Sequence, residues 1–333
     1  MSQARIPQSI DTKPLCEPPA LAEPVRCYRL MIVEDDEVIR DSLVNYLEQY
    51  HEAPYQLKVD ACCDGNQAFA QLNAGLLYDL VISDIHLPGP DGFAVLDYAQ
   101  QVQPQAQKAL ITAYHVEDYI RTAKEKGFFN IIAKAVPFNY QELSTVINNL
   151  LNPSSAFGLA NYLPEGTSVD TFSIQNSEDI MTCFHTLRKR FEQVRVKNVD
   201  DLCTAVIEAI TNAVYHANKN EAGEDKYEKG SPIEALLPTE YVTVQYAETK
   251  DCIGISIIDQ GGKLTGKDIL YWMERNVSGE GLLDSHGRGL FLIHHLVDRL
   301  IVNLKPGHCT EIIMLDYFGL DYQANKPVYI NLL

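Results

Sequence analysis

Leu80-Val81-Ile82-Ser83-Asp84-Ile85-His86-Leu87-Pro88-Gly89-Pro90-Asp91-Gly92 runs from a short apolar strand, through an acid at its end, into a turn punctuated by proline and glycine. The same pattern stands upstream: Arg29-Leu30-Met31-Ile32-Val33 reads as a buried strand and is followed at once by Glu34, Asp35 and Asp36. Val38, Ile39, Leu43, Val44 and Leu47 then fall near 3.6 spacing and predict an amphipathic helix. Further apolar strands are expected at Leu80–Ser83, Ala109–Thr112 and Asn130–Ala133, separated by helical stretches. Strands alternating with helices imply an α/β, doubly wound parallel sheet. In such a sheet ligands bind at the carboxyl ends of the strands.

Those ends carry the chemistry. Glu34 and Asp35 end the first strand and Asp84 ends another, so three carboxylates should share one crevice. Packed acids raise one another's proton affinity, and a bound Mg²⁺ relieves that repulsion through oxygen ligands. Thr112 and Lys134 end two further strands and add a hydroxyl and an ammonium. Carboxylate nucleophile, metal, hydroxyl and lysine together suit phosphoryl capture on Asp84.

Beyond Asn152-Pro153-Ser154-Ser155, a linker signal, the order of elements changes. A strand is expected near Val169–Gln175, then helices near Glu178–Val194 and Val199–Ala217. A polar insert follows from Asn218 to Pro238, then strands at Tyr241–Tyr246 and Cys252–Asp259, a glycine-containing loop, a helix near Gly289–Asp298 and two closing strands. Helices grouped beside a mixed or antiparallel sheet make this half an α+β two-layer domain. Along its second helix, Leu202, Ala205, Val206, Ala209, Ile210, Ala213 and Val214 face the core, while Glu208, Asn212 and His216 form a polar stripe. Asp259 precedes Gly261-Gly262, and Gly287-x-Gly289 opens a helix whose first amides suit a phosphate.

Residues 28–150 resemble the receiver domain of two-component response regulators, with its flavodoxin-like fold. The likeness rests on Ile32-Val33-Glu34-Asp35-Asp36, the Asp84–Gly92 segment, Thr112-Ala113 and Lys134. It implies that Asp84 is the phosphoacceptor, that Glu34, Asp35, Asp84 and the His86 carbonyl serve Mg²⁺, and that Thr112 and Lys134 contact the phosphoryl group. Two departures stand out: Ala135 and Val136 separate Lys134 from Pro137, and Ile131 occupies the place of the aromatic switch residue.

Residues 168–317 resemble the GHKL ATPase superfamily, and within it the anti-sigma-factor serine kinases of bacterial partner switching. Glu208-Ala209-Ile210-Thr211-Asn212-Ala213-Val214-Tyr215-His216-Ala217, Gly287-Arg288-Gly289-Leu290-Phe291-Leu292-Ile293 and Gly307-His308-Cys309-Thr310-Glu311 carry that likeness. It implies ATP with Mg²⁺ held by Asn212, Glu208 as general base toward a protein hydroxyl, Asp259 reading the adenine amino group with Thr310 nearby, and phosphate contacts at Gly287 and Gly289. Gly261 belongs to the same adenine loop. Lys263 stands where a second loop glycine is usual.

The two resemblances divide the chain into a flexible tail (1–27), a receiver (28–151), a linker (152–167), the ATPase-like domain (168–320) and a C-terminal tail (321–333). They imply a response regulator whose phosphorylation on Asp84 controls a serine/threonine protein kinase. The alternative is a phosphorylation-gated adaptor that sequesters a partner without phosphorylating it. Expected partners are a cognate histidine kinase or phosphotransfer protein and an anti-sigma-factor antagonist of STAS type or a sigma factor, and either domain admits a homodimer. Composition agrees with the class: 333 residues suit two domains, and 46% hydrophobic with 22% charged residues is ordinary for globular chains. Acids outnumber bases 45 to 27, and a net charge of −18 repels phosphate backbones and anionic lipid, so neither direct DNA binding nor membrane attachment is expected. No signal-peptide pattern or membrane-length apolar run is read. Eight cysteines without a C-x-x-C pair point to a reducing, cytoplasmic setting. His294 and His295 form no ligand constellation in sequence, and no zinc is expected.

Overall fold

The structure, a computed structural model, describes residues 26–49, 55–135, 138–194, 196–277, 288–319 and 325–333. The expected N-terminal tail lies almost wholly outside these residues. The first half alternates strand and helix: β1 (Arg26–Val33), α1 (Glu37–Glu48), β2 (Tyr55–Cys62), α2 (Gly65–Asn73), β3 (Leu80–Asp84), α3 (Gly92–Val102), β4 (Gln107–Thr112), α4 (Ile120–Lys126), β5 (Asn130–Ala133) and α5 (Tyr140–Leu151). The helices begin where short polar side chains meet free backbone amides. Asp36, Asp64, Asp91 and Asn139 each accept from the amide three residues on. All five residues of β3 are buried, because helices cover both faces of the parallel sheet.

The second half contains β6 (Asp170–Ile174), α6 (Ser177–Phe191), α7 (Val199–Thr211), β7 (Val242–Glu248), β8 (Cys252–Asp259), α8 (Gly266–Val277), α9 (Arg288–Leu296), β9 (Arg299–Lys305), β10 (Cys309–Tyr317) and β11 (Val328–Leu332). The helix predicted to continue to Ala217 instead ends at Thr211 and becomes a π-helical turn over Asn212–His216. The α+β expectation holds for this half, where β6 to β10 pair antiparallel.

The two halves share a single sheet of eleven strands, ordered β2-β1-β3-β4-β5-β11-β9-β10-β8-β7-β6. The C-terminal segment, expected as a tail, supplies the joining strand. Val328 and Tyr329 pair antiparallel with Ile131 and Asn130, while Tyr329–Leu332 pair parallel with Ile301–Leu304. Val328, Tyr329 and Ile330 are buried, so hydrophobic burial on both faces holds this strand in place. Beneath it, Arg299 of β9 donates from Nε to Glu142 of α5 at 2.6 Å, and Tyr329 Oη donates to the same carboxylate at 2.7 Å.

The expected linker is also packed structure. Ala156 and Leu159 are fully buried. Gly158 N donates to the buried Glu311 at 2.9 Å, and Asn303 and Ser256 satisfy the same carboxylate. Leu159 and Leu163 lie against the sheet face opposite α6 to α9, in continuity with the apolar sides of α1 and α5. This segment therefore covers a face that a two-layer domain would leave to solvent.

Candidate functional site

The strand ends of the first half gather the predicted acids. Glu34 and Asp84 are buried, Asp35 is exposed, and one carboxylate oxygen from each lies within 4.8 Å of the other two. Lys134 Nζ stands between the buried pair, 2.6 Å from Glu34 and 2.7 Å from Asp84. Burial pushes the Glu34 carboxyl up, against the opposing pull of Lys134, and the charges of Asp84 and Asp35 add to the rise. His86 N donates to Asp84 Oδ1 at 3.4 Å, which brings the His86 backbone to the cluster. Thr112 ends β4, with its Oγ1 accepting from Tyr114 N at 3.1 Å. Gly92 is required here: a Cβ at that position would stand 2.0 Å from the Asp84 carbonyl oxygen. The three carboxylates form a hard-oxygen donor set that fits a divalent cation such as Mg²⁺, whose charge would offset their mutual repulsion.

A second site opens where α7, the π turn, the polar insert, β8, α8, α9 and β10 meet. Its cavity of about 750 Å³ is within the range that holds small organic ligands. Glu208, Asn212, Asp259, Gly289 and Thr310, all named from the sequence, line it together. Gly289 is a cradle: a Cβ there would lie 2.6 Å from both Asn212 Nδ2 and Glu208 Oε1. Gly261 likewise allows close approach, since a Cβ would meet the Ala217 carbonyl oxygen at 2.2 Å. Gly262 adopts φ +56°, a conformation that glycine takes readily. Asp259 faces Thr310 across the β8–β10 pairing and accepts from Gly261 N at 2.8 Å. Burial pushes its carboxyl up to about 6, with the amides of Gly261, Gly262 and Thr310 opposing the shift. Gly287 lies outside the described residues.

Several lining groups escaped the sequence reading. The polar insert folds back on the π turn: Lys219 pairs with Asp225, and Asp225 also meets His216 Nδ1 at 2.8 Å. The insert thereby presents Lys219 and Lys229 to the cavity, with Lys229 Nζ 3.6 Å from Glu208. Lys263, read as a departure, lines the same cavity and adds a third ammonium. Asp268 and Trp272 come from α8, which was not anticipated. The pattern Ile269, Leu270, Met273, all buried, was the available signal for that helix.

Helix α8 touches both halves. Asp268 and Trp272 line the cavity, while Glu274 pairs with Lys124 and lies 3.7 Å from Arg121, both of α4. At its first turn Gly266 faces the Phe129 ring, where a Cβ would stand 2.9 Å from Cε1. Ile131, where the resemblance called for an aromatic residue, is wholly buried in β5, and its backbone pairs with Val328 of β11. Aromatic groups instead flank the other side of the acid cluster, where Tyr119 Oη and His86 Nε2 share a 2.5 Å hydrogen bond and the Tyr114 ring lies 4.5 Å from that of His86.

The histidine expectation needs correction. Glu117, His294 and His295 each bring one ligand atom within 4.8 Å of the others. Sequence distance concealed this grouping, since Glu117 belongs to the receiver and the histidines to α9. No helix among the described residues is long and apolar enough to cross a membrane.

Comparison with known proteins agrees with the two-part architecture. The response regulator receiver domain family model matches residues 30–148, and the histidine kinase-like ATPase domain model matches residues 176–315. The chain is 31% identical over 126 residues to the probable transcriptional regulator ycf29 of Porphyra purpurea, covering 37% of this chain and 56% of that protein. It is 31% identical over 129 residues to the response regulator protein PilR of Pseudomonas aeruginosa, covering 38% of this chain and 27% of that protein. These matches thus span between a quarter and just over half of the relatives' own lengths. A crystal structure of response regulator protein TrrA from Thermotoga maritima is 28% identical, with a TM-score of 0.33, covering 37% of this chain and 99% of that one.

Proposed function

We propose that this chain, a response regulator receiver domain joined to a histidine kinase-like ATPase domain, is a phosphorylation-responsive protein kinase of the anti-sigma-factor type. The carrying observation is α8, which pairs with the receiver through Glu274 and lines the cavity through Asp268 and Trp272. A change at Asp84 that moves α4 would therefore reach the cavity wall directly. Such a switch works only if phosphate favours one arrangement of these elements over another.

In the receiver, an Asp84 carboxylate oxygen attacks phosphorus of a phosphorylated donor, histidine kinase or phosphotransfer protein, as the bond to the donor nitrogen breaks. Lys134, already at 2.7 Å, balances charge on the new phosphoryl group. Mg²⁺, held by Glu34, Asp35 and Asp84, would supply further charge stabilisation. In the second domain, Asp259 offers an acceptor to the adenine amino group, and Lys219, Lys229 and Lys263 offer positive charge to a polyphosphate. Glu208 takes the proton of a serine or threonine hydroxyl on a STAS-type antagonist. The hydroxyl oxygen attacks the γ-phosphorus of ATP as the bond to the ADP oxygen breaks, and Mg²⁺ held by Asn212 would stabilise the developing charge.

One observation favours the adaptor reading. Lys229 Nζ lies 3.6 Å from Glu208 Oε1, and that ammonium competes for the carboxylate a hydroxyl proton would need. A domain that binds nucleotide and partner while keeping this pair would sequester without transferring.

Calorimetric titration with Mg-ATP separates these outcomes from a lost site. The wild-type chain is expected to bind, and Asn212→Ala to abolish binding while phosphorylation of Asp84 by a small-molecule donor persists. Equal binding by Asn212→Ala would overturn the assignment. Binding with no phosphate appearing on a bound antagonist would select the adaptor.

A further inference from the structure

We propose that Glu117, His294 and His295 form a transition-metal site, suited to Zn²⁺, that ties the receiver to the ATPase-like domain. Their three donor atoms lie within 4.8 Å of one another, and His295 Nε2 is 3.7 Å from Glu117 Oε1. Two imidazoles and a carboxylate are a donor set for zinc, with the remaining position left to water.

The chemistry of His294 carries the argument beyond proximity. Its Nε2 lies 3.2 Å from the Pro327 carbonyl oxygen, which can only accept, so Nε2 bears the ring proton. The lone pair therefore sits on Nδ1, and that atom is buried with no hydrogen-bond partner among the described residues. A buried polar atom left unpaired is unfavourable, and a bound cation would relieve that cost. Zinc-binding histidines characteristically pass their second ring N–H to a carbonyl or carboxylate, the arrangement that Pro327 provides.

The other two donors are free to close on an ion. His295 and Glu117 side chains are 47% and 40% exposed, so both can contract toward bond lengths of about 2.0–2.2 Å. The Phe291 ring, 4.2 Å from that of His295, orients the imidazole. Of the nearby cations, Lys326 is engaged with the carbonyl oxygens of His294, His295 and Val297, and Arg299 is paired with Glu142. Bound metal would join the segment after Thr112 to α9, whose Gly289 abuts Glu208 and Asn212.

The test uses untagged, full-length protein in saturating Mg²⁺, titrated with Co²⁺ as a spectroscopic probe and then with Zn²⁺ in competition. One equivalent of Co²⁺ should give visible ligand-field bands that Zn²⁺ abolishes. Glu117→Gln and His295→Gln should each weaken Zn²⁺ binding by at least roughly tenfold, the lower range seen even for outer-shell changes. Asp35→Asn, in the receiver's acid cluster, should leave it unchanged. Because His295 and Glu117 are half exposed, both variants should fold. Absence of the bands, unaltered affinity in both variants, or loss confined to Asp35→Asn would each overturn the proposal.

Discussion

At Asp259, burial and ligand recognition pull in opposite directions. Its carboxyl rises from an ordinary 3.8 to about 6, so between those values the folded chain holds a proton that the unfolded chain has released. Stability contributed by this group is therefore highest at low pH and declines as pH rises through that window. Adenine recognition runs the other way, since only the carboxylate is a pure acceptor. Mg-ATP affinity should accordingly fall roughly tenfold one unit below pH 6, and Asp259→Asn should flatten the profile; calorimetry across pH 5 to 7.5 reads this. The Glu142–Arg299 pair makes a second residue-scale prediction. Arg299→Ala leaves a carboxylate without its cation beneath the joining strand and should destabilise the protein by about 3–5 kcal/mol in denaturant melts, whereas replacing both residues by Met and Leu should recover much of that loss.

Among the elements, α8 and β11 decide how the halves communicate. Glu274→Lys sets a cation against Lys124 and Arg121 of α4. The side chains of the native Lys124–Glu274 pair are about three-quarters buried, so some stability should be lost as well, read in denaturant melts. In the protein that remains folded, the effect of Asp84 phosphorylation on Mg-ATP affinity should shrink; an unchanged effect would remove α8 from the route. The sequence made the receiver strands and both acid-rich ends legible, because apolar runs followed at once by Glu34-Asp35 or Asp84 have few other uses. The motif order Glu208…Asn212, Asp259-x-Gly261 and Gly287-x-Gly289, rather than helix periodicity alone, singled out Glu208, Asn212 and Asp259, which line one cavity. The sequence concealed β11, since Val328-Tyr329-Ile330-Asn331-Leu332 is a strand only because two distant edges await it. The π turn was hidden for a related reason: Asn212–His216 keeps a helical pattern, while the insert's Asp225 and the close approach of Gly261 act there from elsewhere in the chain.

Across the whole molecule, one sheet runs through both of the domains that the sequence implied. Each face carries an apolar core running through both halves, so neither half can lose its structure without exposing the other. Intact protein should unfold in one calorimetric transition. Removing residues 326–333 should split it into two, and a single unshifted transition in the truncated chain would deny β11 its joining role. Function in this molecule turns on coupling between Asp84 and the nucleotide cavity. The most direct measurement is Mg-ATP affinity in the unphosphorylated chain, in the chain phosphorylated by a small-molecule donor, and in Asp84→Asn given the same donor. A change of about fivefold or more is expected on phosphorylation, the low end of ordinary allosteric coupling, and none in Asp84→Asn. Equal affinity with and without phosphate on Asp84 would contradict it.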